Sequence, residues 1–145
     1  LSKEYDNLLM WSHYTDSHKG FCVGLDIGKL FEMVPLLAPV IYEPNNKYPE
    51  IGLFDESLES FIRLFITKSK CWSYENEYRF IYLDHSKYSL KIENECIKQI
   101  FLGCKMQPEV QEDILQIFNS KFTNTEIYKS EMNNNEFKLD FKRIQ

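Results

Sequence analysis

KCWSYENEYRFIYL, residues 70–83, decides how the chain folds: Trp72, Glu75, Glu77 and Arg79 precede a strongly β-prone tail. Tyr78–Leu83 is aromatic and β-branched, which favours a strand. If that strand begins as early as Ser73, side chains alternate between its faces. Glu75, Glu77 and Arg79 then share one face, with Tyr74, Tyr78, Phe80 and Tyr82 on the other. If residues 72–79 instead make a helical turn, Glu75 and Arg79 form an i, i+4 ion pair and Glu77 points away. The two arrangements differ in chemistry. Carboxylates on one face repel, which raises the pKa of one and suits acid/base work. An exposed ion pair contributes little to stability, and spacing alone favours that plainer reading.

Working outward, MWSHYTDSHKGFCVGLD at residues 10–26 reads as the partner stretch. The candidate site therefore joins Trp11–Gly20 with Trp72–Arg79. The 145 residues are most simply one domain with a single substantial core. The first residue is Leu, as expected of a fragment or a processed piece. A net charge of −5 argues against a general nucleic-acid binder, which would show a basic face. Lys68 and Lys70 are expected at a helix C-terminus, where cations suit the macrodipole. No apolar run reaches transmembrane length and no signal peptide is visible. Cys22, Cys71, Cys96 and Cys104 form no C-x-x-C pair. They read as reduced thiols of a cytoplasmic protein, not a disulfide framework or zinc site.

Leu1–Tyr14 is expected to be partly helical, with Asp6 or Asn7 as cap. Thr15–Gly20 reads as a turn, and Gly20 is expected to release the chain into a strand at Phe21–Leu25. Asp26 then caps a short helical turn, Ile27–Phe31. Leu36–Tyr42 is strand-like, though Pro39 demotes its first half or makes it an edge. Glu43–Leu53 is a loop. Asp55–Lys70 is the clearest helix, with Asp55 as N-cap and lysines in the last turn. Phe54, Leu58, Phe61, Ile62 and Phe65 fall at helical spacing and read as core. A turn at Asp84–Lys87 and short strands at Tyr88–Ile92 and Ile97–Leu102 follow. Pro108 opens a second main helix to about Phe118, with Val110, Ile114, Leu115 and Phe118 inward. Thr125–Ser130 and Phe137–Ile144 close the chain as a hairpin. Two main helices, short helical turns and about six strands predict an α+β fold with a mixed, largely antiparallel sheet.

His13 and His18 are five apart, so they do not share a helix face, and a metal pair is not expected. His13 sits between Trp11 and Tyr14 and is expected to be partly buried. Its pKa range suits ribose or phosphate chemistry near neutrality. His18 reads as a solvated turn residue, and His85 as exposed. There is no phosphate-binding glycine loop and no G-x-S-x-G elbow.

The succession MWSHYTDSHKGFCVGLD, the Val40-Ile41-Tyr42 strand, KSKCWSYENEYRFI and IKQIFLG before a helix resembles the bacterial domain-of-unknown-function 2971 family. The likeness extends over nearly the whole chain. The resemblance implies a further N-terminal segment with an Asn-Asp-Pro-Phe-like element, which this chain lacks, as a truncated or shortened member would. The family label carries a fold rather than a reaction. Glu75-x-Glu77 leading into a strand is also similar to the Glu-x-Glu element of ADP-ribosyltransferases. That likeness implies Glu77 as the carboxylate stabilising an oxocarbenium-like transition state, Glu75 as its acceptor-side helper and His13 as ribose anchor. Tyr14 or Tyr42 would supply the ring against nicotinamide, with NAD as substrate.

Three readings follow. One is an NAD-using transferase or glycohydrolase in a toxin or phage-defence setting. The second is a non-catalytic binding or regulatory domain for a protein partner. There Trp11, Tyr14, Trp72 and Tyr74 form an aromatic groove and Arg79 pairs with Glu75. The third, a metal-dependent hydrolase using His13, Glu75 and Glu77, ranks last because ligand spacing does not support it.

Overall fold

A computed structural model of the protein describes residues 1–33, 36–45, 47–81, 89 and 91–145. In chain order come α1 (Leu8–Tyr14), β1 (Phe21–Leu25), α2 (Ile27–Met33), β2 (Leu37–Pro39), β3 (Ile41–Glu43), α3 (Leu58–Ile66) and β4 (Thr67–Ser69). A 3₁₀ turn (Lys70–Glu75), β5 (Tyr78–Phe80) and a second 3₁₀ turn (Asn94–Cys96) follow. The chain ends with β6 (Ile97–Leu102), α4 (Pro108–Lys121), β7 (Glu126–Met132) and β8 (Leu139–Arg143). This is the expected α+β fold with mixed, mostly antiparallel pairing. The chain divides into two compact units, Leu1–Glu4 with Phe31–Tyr88, and Tyr5–Leu30 with Ser89–Gln145.

The second of these units is built on a four-stranded sheet in the order β1-β6-β7-β8. β6 is central and apolar on both faces. Ile100 and Leu102 pack with Met106, Phe118 and Ile127, against which Ile114 and Leu115 of α4 also lie. Phe101 faces the other way and packs with Trp11 and Leu139. α4 joins β6 to the parallel β7, and β7 returns antiparallel to β8 with Met132 opposite Leu139. The connecting loop is held by the Asn133 side chain, which accepts from the N–H groups of Asn135 and Glu136. Asn7 caps α1 by accepting from Leu9 and Met10, and Asp26 caps α2. Val110, expected inward, is instead exposed, because it lies in the first turn of α4, off the face that Phe118 buries.

Between α1 and β1 the chain makes a left-handed turn. Asp16, Ser17 and His18 have φ of 46°, 56° and 70°, so these residues, not Gly20, supply the positive-φ reversal. Gly103 is needed for a different reason. A Cβ there would lie 2.1 Å from the His18 carbonyl oxygen. The close approach lets Gly103 N–H donate to Gly20 O and Lys105 N–H to His18 O, at 2.9 and 3.0 Å.

The other unit carries two short ladders, antiparallel β2-β5 and parallel β3-β4. Pro39 ends β2, as expected of a residue with no N–H to donate, and the strand resumes after Val40 as β3. Among its described residues Leu37, Ala38, Val40 and Ile81 are buried and apolar. The N-terminal residues lie beside β5: Ser2 bridges Glu77, and Tyr78 N–H donates to Leu1 O at 2.7 Å.

Two expectations fail here. The helix expected over Asp55–Lys70 covers only Leu58–Ile66, and its cap is Ser57, whose side chain accepts from Ser60 N–H. Thr67–Ser69 leaves the helix as β4, which pairs with β3, so Lys68 lies on a strand and not at a helix end. β-branched Thr67, following Ile66, favours that exit. The apolar stripe of α3 was expected in the core, yet none of its nine residues is buried. β5 stops at Phe80. The expected continuation through Tyr82 and Leu83, the turn with His85, and Tyr88 and Leu90 lie outside the described residues, while Lys91 and Ile92 adopt no regular element.

Candidate functional site

The stretch that decided the sequence reading is neither a long strand nor a helical turn running to Arg79. Lys70–Glu75 is a 3₁₀ turn, capped at its start by Ser69, whose side chain accepts from Cys71 N–H. Asn76 then adopts the left-handed conformation at φ 42° and ψ 49°, a geometry asparagine tolerates well. That single residue redirects the chain into β5. It also sets Glu75 and Glu77 so that both carboxylates reach one cation.

The cation is Lys68. The β3-β4 register places it beside Tyr42. Its Nζ donates to Glu75 Oε2 and, at 3.1 Å, to Glu77 Oε2. Arg79 approaches Glu77 from the other side as a fork: Nε donates to Oε1 at 2.7 Å and Nη2 to Oε2 at 3.0 Å. The Tyr42 hydroxyl accepts from Glu77 N–H at 2.8 Å, and Val40 N–H donates to Glu77 O at 2.9 Å. Lys68 Nζ also lies 4.9 Å from the Trp72 ring centroid, within cation–π range. Trp72 and Tyr74 are tilted neighbours with centroids 6.0 Å apart.

The electrostatics run opposite to the repulsion expected of a carboxylate pair. The Arg79 fork, opposed by burial and reinforced by Lys68, pulls the Glu77 carboxyl down to about 2. Burial works against the Lys68 ammonium, but its hydrogen bonds to Glu75 and Glu77 outweigh that and raise its pKa. Arg79 is raised by its bonds to Glu77. Glu75 is only 2% exposed. The cluster holds two anions and two cations, so its formal charges balance. Chemically, Glu77 is a fixed negative charge at any physiological pH and is unsuited to giving up a proton.

Of the residues expected at the site, Tyr42, Glu75, Glu77, Arg79 and Trp72 lie together in the structure. The sequence did not mark Lys68 as the centre of the cluster. The other candidates belong to the second unit. Trp11 is 2% exposed, in contact with Phe141 at 6.1 Å, and its Nε1 donates to Tyr5 O at 2.6 Å, so it is a core residue rather than a groove wall. Tyr14 is 61% exposed. The two histidines exchange their expected roles. His13 is exposed, and His18 is buried against the Gly103–Lys105 turn. Its Nδ1 has no hydrogen-bond partner among the described residues. Burial first, then the charge of Lys105, lowers its pKa.

Among the described residues no group of three or more His, Cys, Asp or Glu side chains is placed to hold a metal ion. Nor is any helix long and apolar enough to cross a membrane. Fold and cluster together define an α+β protein carrying a Glu-x-Glu pair clamped by lysine and arginine. Residues 10–80 match the model of the family described as Protein of unknown function (DUF2971). The matched segment contains both the Trp-Ser-His-Tyr element and the Glu75–Arg79 cluster; Ile97–Gly103 falls beyond it. Comparison with curated proteins gave no match, and neither did comparison with solved structures.

Proposed function

We propose that the Lys68–Arg79 cluster is the working site of an NAD-using ADP-ribosyltransferase or glycohydrolase, acting in a toxin or phage-defence setting. The observation that carries this reading is a Glu-x-Glu pair whose second carboxylate accepts hydrogen bonds from both Arg79 and Lys68. An oxocarbenium-like centre needs a fixed negative charge beside it, and Glu77 is one. Arg79 and Lys68 are the cations a dinucleotide pyrophosphate requires, Arg79 through a planar fork that suits phosphate as well as carboxylate. On NAD binding they exchange part of their hold on Glu77 for phosphate oxygens, which strengthens the charge Glu77 presents to the ribose. Tyr42 positions the Glu77 backbone, and Trp72 offers the exposed ring.

The test is titration with NAD, following tryptophan fluorescence and nicotinamide release. Binding with release that is lost in Glu77→Gln supports the reading. Undiminished release in Glu77→Gln overturns the assignment of Glu77, and absence of binding overturns NAD as ligand.

A second reading, a non-catalytic binding or regulatory domain, is favoured by the closure of the cluster on itself. A carboxylate satisfied by two cations is also what a structural latch looks like. This reading keeps Trp72 as an exposed anchor. It expects no NAD turnover and an unchanged partner affinity in Glu77→Gln.

A further inference from the structure

The turn between α1 and β1 buries a histidine with an unpartnered ring nitrogen. His18 is 9% exposed, and its Nδ1 finds no hydrogen-bond partner among the described residues. A buried polar atom of this kind calls for a reason, because almost all such atoms are satisfied. The turn is tied within itself: Ser17 N–H donates to Ser12 O, and the Lys19 and Gly20 N–H groups both donate to Thr15 O. Two backbone bonds then cross to the facing turn, from Gly103 N–H to Gly20 O and from Lys105 N–H to His18 O.

We propose that residues 15–20 form a proton-operated clasp: protonation of His18 releases this turn from residues 103–105 and leaves the sheet in place. A neutral imidazole with its proton on Nε2 leaves Nδ1 a bare lone pair, which burial tolerates better than a charged N–H. Protonation puts a charged N–H there with no acceptor. The surroundings do not compensate. Among the described residues the charge acting on the ring is a cation, Lys105 of the facing turn. Asp16, on the same turn as His18, has its side chain 81% exposed and pairs with Lys19 at 3.2 Å. β7 brings a further cation, Lys129, whose Nζ donates to Gly103 O at 2.9 Å. α1 ends on the basic His13, and Cys22 of β1 and Cys104 bring thiols rather than carboxylates. Opening the clasp gives the charged ring to water. The β1–β6 ladder, which begins at Phe21 opposite Leu102, does not depend on the ring. The closed clasp is therefore favoured above the pKa of a solvated histidine, about 6.5, and loses stability as pH falls below it. None of this depends on how the Lys68–Arg79 cluster is used.

The test is native-state hydrogen exchange of the full chain against pH, each rate being referred to the intrinsic rate at that pH. In the wild type the protection of the Gly103 and Lys105 amides falls several-fold between about pH 7.5 and about pH 5.5, and about tenfold where opening takes up one full proton. The amides of Ile100 and Ile127 keep their protection. His18→Asn removes the titrating ring, and asparagine accepts the φ of 70° at this position. The clasp then stays closed and the fall disappears. Lys105→Glu, a change at an exposed side chain, sets an acid beside the ring and makes the fall smaller. It decides the matter if the asparagine variant leaves the clasp open at both pH values. Protection at Gly103 and Lys105 that does not change with pH overturns the proposal. So does a fall that Ile100 and Ile127 share, which is global unfolding. So does a fall that persists undiminished in a closed His18→Asn variant or in Lys105→Glu.

Discussion

A lysine that meets two carboxylates has to be matched by both, and Lys68 is placed so that losing it costs more than losing either acid. With Lys68→Met, Glu75 remains at 2% exposure without that cation. Removing one partner of a buried pair costs about 3–5 kcal/mol, and the partial exposure of this one reduces the expectation to about 2–4 kcal/mol in urea unfolding. Adding Glu75→Gln to Lys68→Met recovers part of the loss, a coupling that a double-mutant cycle reads directly. Glu77 governs the acid limb. Its folded pKa lies below the unfolded one, so its stabilisation is present above about 4.3 and is lost as pH falls through about 2. The shift corresponds to about 3 kcal/mol, which solvent screening brings nearer 1–2 kcal/mol. Stability measured against pH therefore falls by that amount in the wild type, and Glu77→Gln lacks that part of the slope. His18 adds a contribution at higher pH. Kept neutral by burial, it stabilises above its unfolded pKa and opposes folding as pH falls below about 6.5. At this scale the sequence named the acids and the arginine but not Lys68, since an apolar stripe seemed to carry a helix past it. It also inverted the histidines. Trp11 and Tyr14 flank His13 in sequence, yet Trp11 points into the core and His13 does not. His18 is buried by a glycine eighty-five positions away in sequence, which no local pattern records.

Elements whose partners are local were legible, and those whose limits depend on a distant strand were not. β1 and β6 have the expected bounds, because alternation and the flanking Gly20 and Gly103 mark them. α3 lost its expected last turn because β3 offers Thr67–Ser69 a ladder, and ladder bonds replace helix bonds at no net loss. The 3₁₀ turn at Lys70–Glu75 escaped both alternatives weighed for it, since periodicity cannot show a direction change at one asparagine. Asn76→Gly should leave stability within a few tenths of a kcal/mol, whereas Asn76→Val costs about 1–2 kcal/mol in chemical unfolding, as β-branching opposes the left-handed conformation. Gly103→Ala is the harsher test. Its Cβ meets the carbonyls of His18 and Gly20, so the clasp between the left-handed turn and β6 must open. Overpacking against backbone predicts a loss of about 2–3 kcal/mol, and the amides of Gly103 and Lys105, which donate across the clasp, lose their protection from hydrogen exchange.

Across the whole molecule, burial is unevenly shared between the two compact units, and this determines where order is most secure. One unit holds the sheet in which Ile100, Leu102 and Ile127 are fully buried and β6 is covered on both faces. Among its described residues the other has ladders three residues long, and α3 has no buried residue. Its order rests on the Lys68 cluster and on a few side chains such as Leu37, Val40 and Ile81. Local opening free energy follows buried apolar contact, so the units should differ in native-state hydrogen exchange. The amides of Ile100, Leu102 and Ile127 should exchange slowest, near the global unfolding limit. Those of Ala38, Tyr42 and Arg79 should exchange faster by about 2 kcal/mol or more in opening free energy. Lys68→Met should accelerate that second group further and leave Ile100 and Ile127 unchanged. Equal protection throughout would mean that the ion-pair unit opens only with the main sheet. In that event the Lys68 cluster, rather than the short ladders, would carry the unit's stability.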